Sequence, residues 1–574
     1  MINRRVSLCA VLVAATAPAF AAPDLILHHG KIVTVDGTFS IHEAMAVEDG
    51  KVLRVGSSAD VLLLRGPGTE VLDLGGKTLV PGLIDSHVHP AAACLTEFDH
   101  PIPAMETIGD VLAYVRTRAA ALAEGDWIVL QQVFITRLRE QRYPTRAELD
   151  AAAPRHPVIF RTGPDASLNA LALRLSGIDR NFQVSDGGSG FAEKDAAGEP
   201  TGILRNCTRY VKVPPTKAPS AEQHDARLQE LLADYNSVGI TSIGDRDTSL
   251  EGLEQYRRLR DTGALPVRVS CSQSIGSVGA VEKIGAQIRS VARNPLHTTP
   301  DDFLRIIGIK MYLDGGMLTG SAFLREPWGV SDIYAITDPE YRGVLFIPRE
   351  RLLPLVRAAV ESGLQFTAHS QGDGAVHALL DVYQELADEG LPVRKARSSV
   401  THCSFMSEEA ITQAAKLGVM IDLQPAWLHL DARTLAQHFG LPRLRWFIPL
   451  HSLLAAGVNA GGGSDHMQKI GSSRAINPYN PFLGIATAVT RRARWFEGQL
   501  HPEEALTREQ ALRFYTINNA RLLFREDRTG SLEIGKLADF AVLDTDPLTC
   551  PEEKIASTRV LRTYLGGKLV FPRE

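Results

Sequence analysis

Eight short apolar runs recur through the middle of this 574-residue chain, at residues 79–85, 239–244, 267–271, 304–314, 364–369, 398–402, 419–423 and 458–465. Continuous apolar runs of this length read as strands buried on both faces, which a parallel sheet covered by its own crossovers requires. From the second run on, each is reached through an amphipathic stretch, such as residues 351–362 or 407–417. Eight such units in series predict an α/β fold built on a (β/α)8 TIM-like barrel.

Three features break the regular series. About 150 residues separate the first run from the second, far more than one crossover helix needs, so a subdomain at about 100–225 is read as inserted after barrel strand one. Strand-like pieces separated by glycine turns lie at both chain ends, before residue 80 and after residue 525. Neither set has strands enough for a core of its own, so residues 22–80 and 525–574 are expected to share one β-sandwich domain, with 81–524 as the barrel. The third is residues 1–21: Arg4 and Arg5, an apolar run to Phe20, then Ala19-Phe20-Ala21. That order reads as a cleaved export signal, and predicts a periplasmic or secreted protein. The apolar run is shorter than a membrane span, so no integral membrane segment is expected in the mature chain.

Composition then narrows the partners. With 61 basic and 66 acidic residues, a formal charge of -5, there is no electrostatic case for nucleic acid or an anionic membrane surface. A small-molecule substrate at a local site is what remains, and a homo-oligomer is compatible with it. Five cysteines lie beyond the signal, at 94, 207, 271, 403 and 550. Their irregular spacing holds no CxxC pair, and they read as mostly buried free thiols.

The chemistry-bearing residues fall at the ends of the runs. His87 and His89 follow the first, Lys310 lies in the fourth, His369 ends the fifth, His402 the sixth and Asp465 the eighth. The C-terminal ends of barrel strands face the active-site mouth, so these six side chains converge. Residues i and i+2 of a strand point the same way, so His87 and His89 can grip one cation. Lys310 in an apolar strand has two readings. It is a buried salt bridge to Asp314 or Asp465, or a neutral amine that adds carbon dioxide and becomes an anionic metal-bridging carbamate. With four His and one Asp, the second reading supplies ligands for one or two divalent metals per chain. Zinc is favoured by the His-rich set, and manganese, iron and cobalt remain compatible.

Pro81-Gly-Leu-Ile-Asp-Ser-His87-Val-His89-Pro90, Lys310-Met-Tyr-Leu-Asp-Gly-Gly, His369-Ser-Gln-Gly-Asp373, His402, Gly463-Ser464-Asp465 and Gly530-Ser-Leu-Glu-Ile-Gly535-Lys-Leu-Ala-Asp539 occur in this order. The series resembles the metal-dependent amidohydrolase superfamily, nearest its YtcJ-like or N-substituted formamide deformylase-like branch, over residues 24–570. The resemblance implies that His87 and His89 bind the more buried metal and that His369 and His402 bind the outer one. It further implies that carbamylated Lys310 bridges both, and that Asp465 ligates the buried metal and shuttles the proton. Where the branch often has Gly-His, this chain has Gly163-Pro-Asp165, and His466-Met467 replace the usual small residue and Pro after Ser-Asp.

A metal-bound hydroxide is a nucleophile at neutral pH, with Asp465 within reach of its proton. The expected activity is hydrolysis of a non-peptide carbon–nitrogen bond in an amide, N-formyl or cyclic amide substrate. Lactonase, esterase or phosphotriesterase chemistry on the same binuclear site is the alternative. Arg205, Arg246, Arg325, Trp328, Trp427 and His466 lie on segments able to reach the mouth, but each reads first as structural or surface.

Overall fold

The computed structural model describes residues 22–131, 133–215 and 219–572. The export signal read at residues 1–21 lies outside the described residues. Eight parallel strands stand side by side in chain order: β1 (Leu83–Val88), β2 (Ile240–Thr248), β3 (Arg268–Ser274), β4 (Leu304–Tyr312), β5 (Gln365–Ser370), β6 (Ser399–His402), β7 (Met420–Leu423) and β8 (Ala460–Gly462). Helices cover them outside. Arg349–Glu361 buries Leu352, Leu355, Val356 and Ala359, one stripe at helical spacing. Glu408–Leu417 starts where the Ser407 hydroxyl accepts the Ala410 N–H, and stops where Gly418 turns left-handed at φ +68°.

The barrel closes between β8 and β1 without a full ladder. Asp465 N–H donates to His87 O at 2.8 Å, and His89 N–H donates to His466 O at 2.8 Å. Deeper in the seam, the Asn519 amide donates to Ile84 O at 2.6 Å and to Gly462 O at 2.7 Å, and its Oδ1 accepts the Gly462 N–H at 2.7 Å. Asn519 follows directly on a π-helical turn at Phe514–Asn518, a local widening of the kind often found beside functional sites.

The first apolar run does not enter the barrel whole. Thr78–Pro81 pairs with Lys31–Val33 and with Phe540–Leu543, and only Leu83–Val88 reaches β2. The chain switches sheets at Gly82, whose N–H donates to Asp539 O at 2.8 Å. A Cβ there would sit 2.1 Å from Thr241 Oγ1, so the crossing needs glycine. The eighth run likewise yields three strand residues, Ala460–Gly462, and further on Asp465 turns left-handed at φ +55°.

Strands from both chain ends meet in one six-stranded sheet, ordered Lys568–Phe571, Val560–Leu565, Phe540–Leu543, Thr78–Pro81, Lys31–Val33, Ile41–His42. A second sheet of four, from residues 25–73, lies against it across a core that includes Leu27, Met45, Leu79, Phe540 and Tyr564. Between β1 and β2, residues 128–205 form a separate five-stranded sheet. The loop after its strand Val158–Thr162 and the loop at 187–189 come to the barrel mouth. All five described cysteines are free, and all but Cys550 are buried.

Arg268 at the base of β3 anchors the sandwich. Its guanidinium donates to Asp539 through Nε at 2.6 Å and through Nη2 at 2.8 Å, both residues being buried. Removing one partner strands a charge in the interior, so Arg268→Met should destabilise the protein by about 3–5 kcal/mol. A urea unfolding midpoint indistinguishable from wild type would refute that role.

Candidate metal centre

His87 closes β1 fully buried, with its orientation set from behind. Nδ1 lies 2.9 Å from Asp422 Oδ2, and Asp422 is itself held by the Ser86 hydroxyl at 2.8 Å. That partner assigns the ring proton to Nδ1 and leaves Nε2 as a lone pair. Nε2 is buried and has no hydrogen-bond partner. Burial, with Lys310 and His402 beside it, holds this imidazole well below its usual range, so it stays neutral.

His89 stands just past the strand, and Asp465 comes to both rings from the other side of the seam. Asp465 Oδ1 lies 3.0 Å from His89 Nε2 and 3.4 Å from His87 Nε2. These three residues bring their donor atoms within 4.8 Å of one another. Burial is the largest single influence on His89 and opposes its charge, but the Asp465 hydrogen bond together with the charges of Asp465, Asp247 and Asp245 raises the imidazole above its ordinary value.

His369 and His402 complete the ring of donors, with centroids 4.5 Å apart, and His402 is 4.9 Å from His87. His402 Nδ1 is 2.7 Å from Gln424 Oε1, which leaves its Nε2 as the free donor. His369 is held the other way round: Nε2 lies 3.2 Å from Gly315 O, leaving Nδ1. Burial lowers both, His369 to about 3, so both present lone pairs. His402 and Asp465 adopt φ of +77° and +55°, strained conformations that side-chain fixation must offset.

Lys310 is 1% exposed and lines the same cavity as the five others. Among the described residues it makes no ion pair within 4.0 Å. Asp314, the partner considered from sequence, is taken up by the backbone N–H groups of Gln371, Gly372 and Phe323 at 2.9 Å each. Burial pushes the Lys310 amine down to about 8.

The residues fit a divalent cation. Four imidazoles and a carboxylate converge, those of His87, His369 and His402 are each oriented by a further group, and a buried ring nitrogen is left unpartnered. The cavity above has a volume of about 1030 Å³.

Of the other candidates at the mouth, only Trp427 lines the cavity, stacked on His402 with centroids 5.0 Å apart. Arg205 is buried against Glu193 and Tyr334 O. Arg246 bonds Ser86 O and Gln365. Arg325 meets His377 on the surface, and the Trp328 indole donates to Ala322 O. His466 turns away, its ring nitrogens meeting the Tyr235 hydroxyl, Gln468 O and Lys469 O. Asp165, in the departing Gly-Pro-Asp stretch, accepts from the Ser321 hydroxyl and the Asn206 N–H. Sequence reasoning missed Asp422 and Gln424. Asp422 carried the same signal as Lys310, a charge inside an apolar strand.

The model of the amidohydrolase family matches residues 70–571. The N-substituted formamide deformylase of Arthrobacter pascens is 30% identical over 572 residues, covering 96% of this chain and 98% of that protein. YtcJ of Bacillus subtilis is 26% identical over 96% of this chain and 99% of its own length. An uncharacterized metal-dependent hydrolase from Pyrococcus horikoshii shares the fold with a TM-score of 0.66 and 22% identity, over 92% of this chain and 99% of that one.

Proposed function

This chain belongs to the amidohydrolase family, hydrolases of carbon–nitrogen bonds, and from that premise we propose that it cleaves a non-peptide amide, N-formyl or cyclic amide bond of a small molecule. The observation that carries the reading is the unpartnered, buried Nε2 of His87, facing His89 and Asp465. We assign His87, His89 and Asp465 as ligands of one divalent cation, zinc by its donor set, and His369, His402 and carbamylated Lys310 as completing a second position. Bound there, a divalent cation supplies an acidified water and polarises the scissile carbonyl.

The chain's own residues do the rest. Asp465 accepts the proton of the attacking water and delivers it to the leaving nitrogen. Asp422 and Gln424 keep His87 and His402 in the tautomers that present Nε2. Trp427, packed on His402, keeps that side of the site dry. The same proposal places the enzyme outside the cytoplasm, by the signal read at residues 1–21. No described helix is long and apolar enough to cross a membrane.

Elemental analysis of the purified protein should find one to two equivalents of divalent metal, and hydrolysis of N-formyl and cyclic amide substrates should vanish on chelation and return with zinc or manganese. Protein free of stoichiometric metal, with no activity gained on adding either ion, would sink the reading.

A further inference from the structure

The sandwich domain, which the chemistry above does not use, carries its own convergence of nitrogen and oxygen donors. One donor atom each from His28, His29 and Asp73 lies within 4.8 Å of the other two. Register brings the first and last together: His28 closes strand Leu25–His28, Asp73 closes strand Glu70–Asp73, and the two are partners in a parallel pair. The adjacent His29 would point to the other face if the strand ran on. It turns left-handed instead, at φ +51°, and its ring meets that of His28 with centroids 4.4 Å apart.

The backbone fixes these donors in place. Gly76 N–H donates to His29 O at 2.7 Å and His29 N–H donates to Ser58 Oγ at 3.0 Å, so the turn is pinned on both sides of the ring. Asp73 Oδ1 accepts the Gly75 N–H at 2.8 Å, which leaves Oδ2 beside His29 Nδ1 at 3.1 Å. That N–H and His29 hold the carboxyl below its usual range, so it is an anion. His28 Nδ1 is shut off from solvent without a hydrogen-bond partner, the state of His87 Nε2 in the barrel. A plain surface pair of His29 with Asp73 needs no third residue and leaves His28 unsatisfied. A cation held by all three engages it, and the cation has a way in, because the His29 and Asp73 side chains are 59% and 57% exposed.

We propose that His28, His29 and Asp73 form a non-catalytic metal site of the sandwich domain, separate from the barrel, that takes a divalent transition cation of the zinc type. Two imidazoles with one carboxylate suit such ions, whereas magnesium and calcium favour all-oxygen sets. Its role follows from where the residues lie. Residues 29–30 carry the chain from the four-stranded sheet to the six-stranded one, and residues 74–77 do so a second time. A cation on this triad ties the two crossings together and stiffens the sandwich.

Zinc itself is the probe, and no substrate is needed. In equilibrium dialysis of the purified protein at micromolar free zinc, His29→Asn and Asp73→Asn should each bind one equivalent fewer than wild type. The first substitution suits the left-handed turn and the second keeps an acceptor for the Gly75 N–H, so both should fold with wild-type unfolding midpoints. His451→Ala removes an exposed histidine elsewhere and should bind as wild type does. Amide hydrogen exchange tests the clamp: zinc at about ten times its Kd should slow exchange at residues 25–33 and 70–81 of wild type by about tenfold, and leave both variants unchanged there. Equal zinc stoichiometry in wild type and the two Asn variants overturns the site. Loss of the same equivalent in His451→Ala also overturns it, as binding by surface histidines at large. Zinc bound through the triad with no slowing at the two crossings overturns the clamp.

Discussion

Asp465→Asn should fold, keep at least one metal and lose rate by a factor on the order of 10²–10⁴, the usual worth of a positioned acid or base. Both halves of that result follow from local geometry. Asp465 sits at φ +55°, a left-handed conformation that Asn tolerates better than most residues. Its backbone is pinned independently of its charge, with its N–H on His87 O at 2.8 Å and its carbonyl accepting from Asn477 at 2.6 Å. The substitution therefore leaves the seam intact. It removes the carboxylate oxygen that faces His87 and His89, and with it the group able to take a proton and return it. Metal content and single-turnover rate, measured on the same preparation, check the two halves separately. Full rate in the variant would remove Asp465 from proton transfer, and loss of all metal would reduce its role to that of a ligand.

What was legible in the sequence tracks how local each signal is. The barrel was readable because its strands are buried on both faces, and each leaves a continuous apolar run whatever its neighbours do. The six converging side chains were readable for the same reason, since a polar residue closing such a run is exposed to one place only, the mouth. Gly82 shows where this fails. The run around it is unbroken in composition, yet a contact with Thr241, far along the chain, divides it between two sheets. His466 went the other way: it reads first as structural or surface although beside a ligand, and its ring is claimed by Tyr235 on a distant helix. Asp422 and Gln424 act through His87 and His402, and partners of partners leave no spacing of their own.

Lys310→Ala should lose metal and activity together, and short carboxylic acids such as acetate should restore part of both. The amine is buried among neutral imidazoles, with no carboxylate within 4.0 Å among the described residues, and the Asp314 oxygens are filled by backbone N–H groups. A lysine in that setting lacks the salt bridge that would justify its burial. Burial, which brings the amine down to about 8, leaves a fraction of it neutral near pH 7–8, the form whose nitrogen can bond to carbon dioxide with loss of a proton. The product is an anion at the place where His87, His369 and His402 present lone pairs but no charge. Two cations held by neutral imidazoles and one aspartate would repel each other across a small volume, and a bridging anion offsets that repulsion. Deleting the side chain removes the anion and opens a space that a small carboxylate can enter. A lysine acting only as a structural cation predicts the reverse: Lys310→Ala would lose stability, retain its metal and ignore acetate. Metal occupancy and rate in Lys310→Ala, with and without added acetate and at controlled bicarbonate, distinguish the two. A variant that keeps full metal occupancy in the absence of any added acid would remove the carbamate from the site.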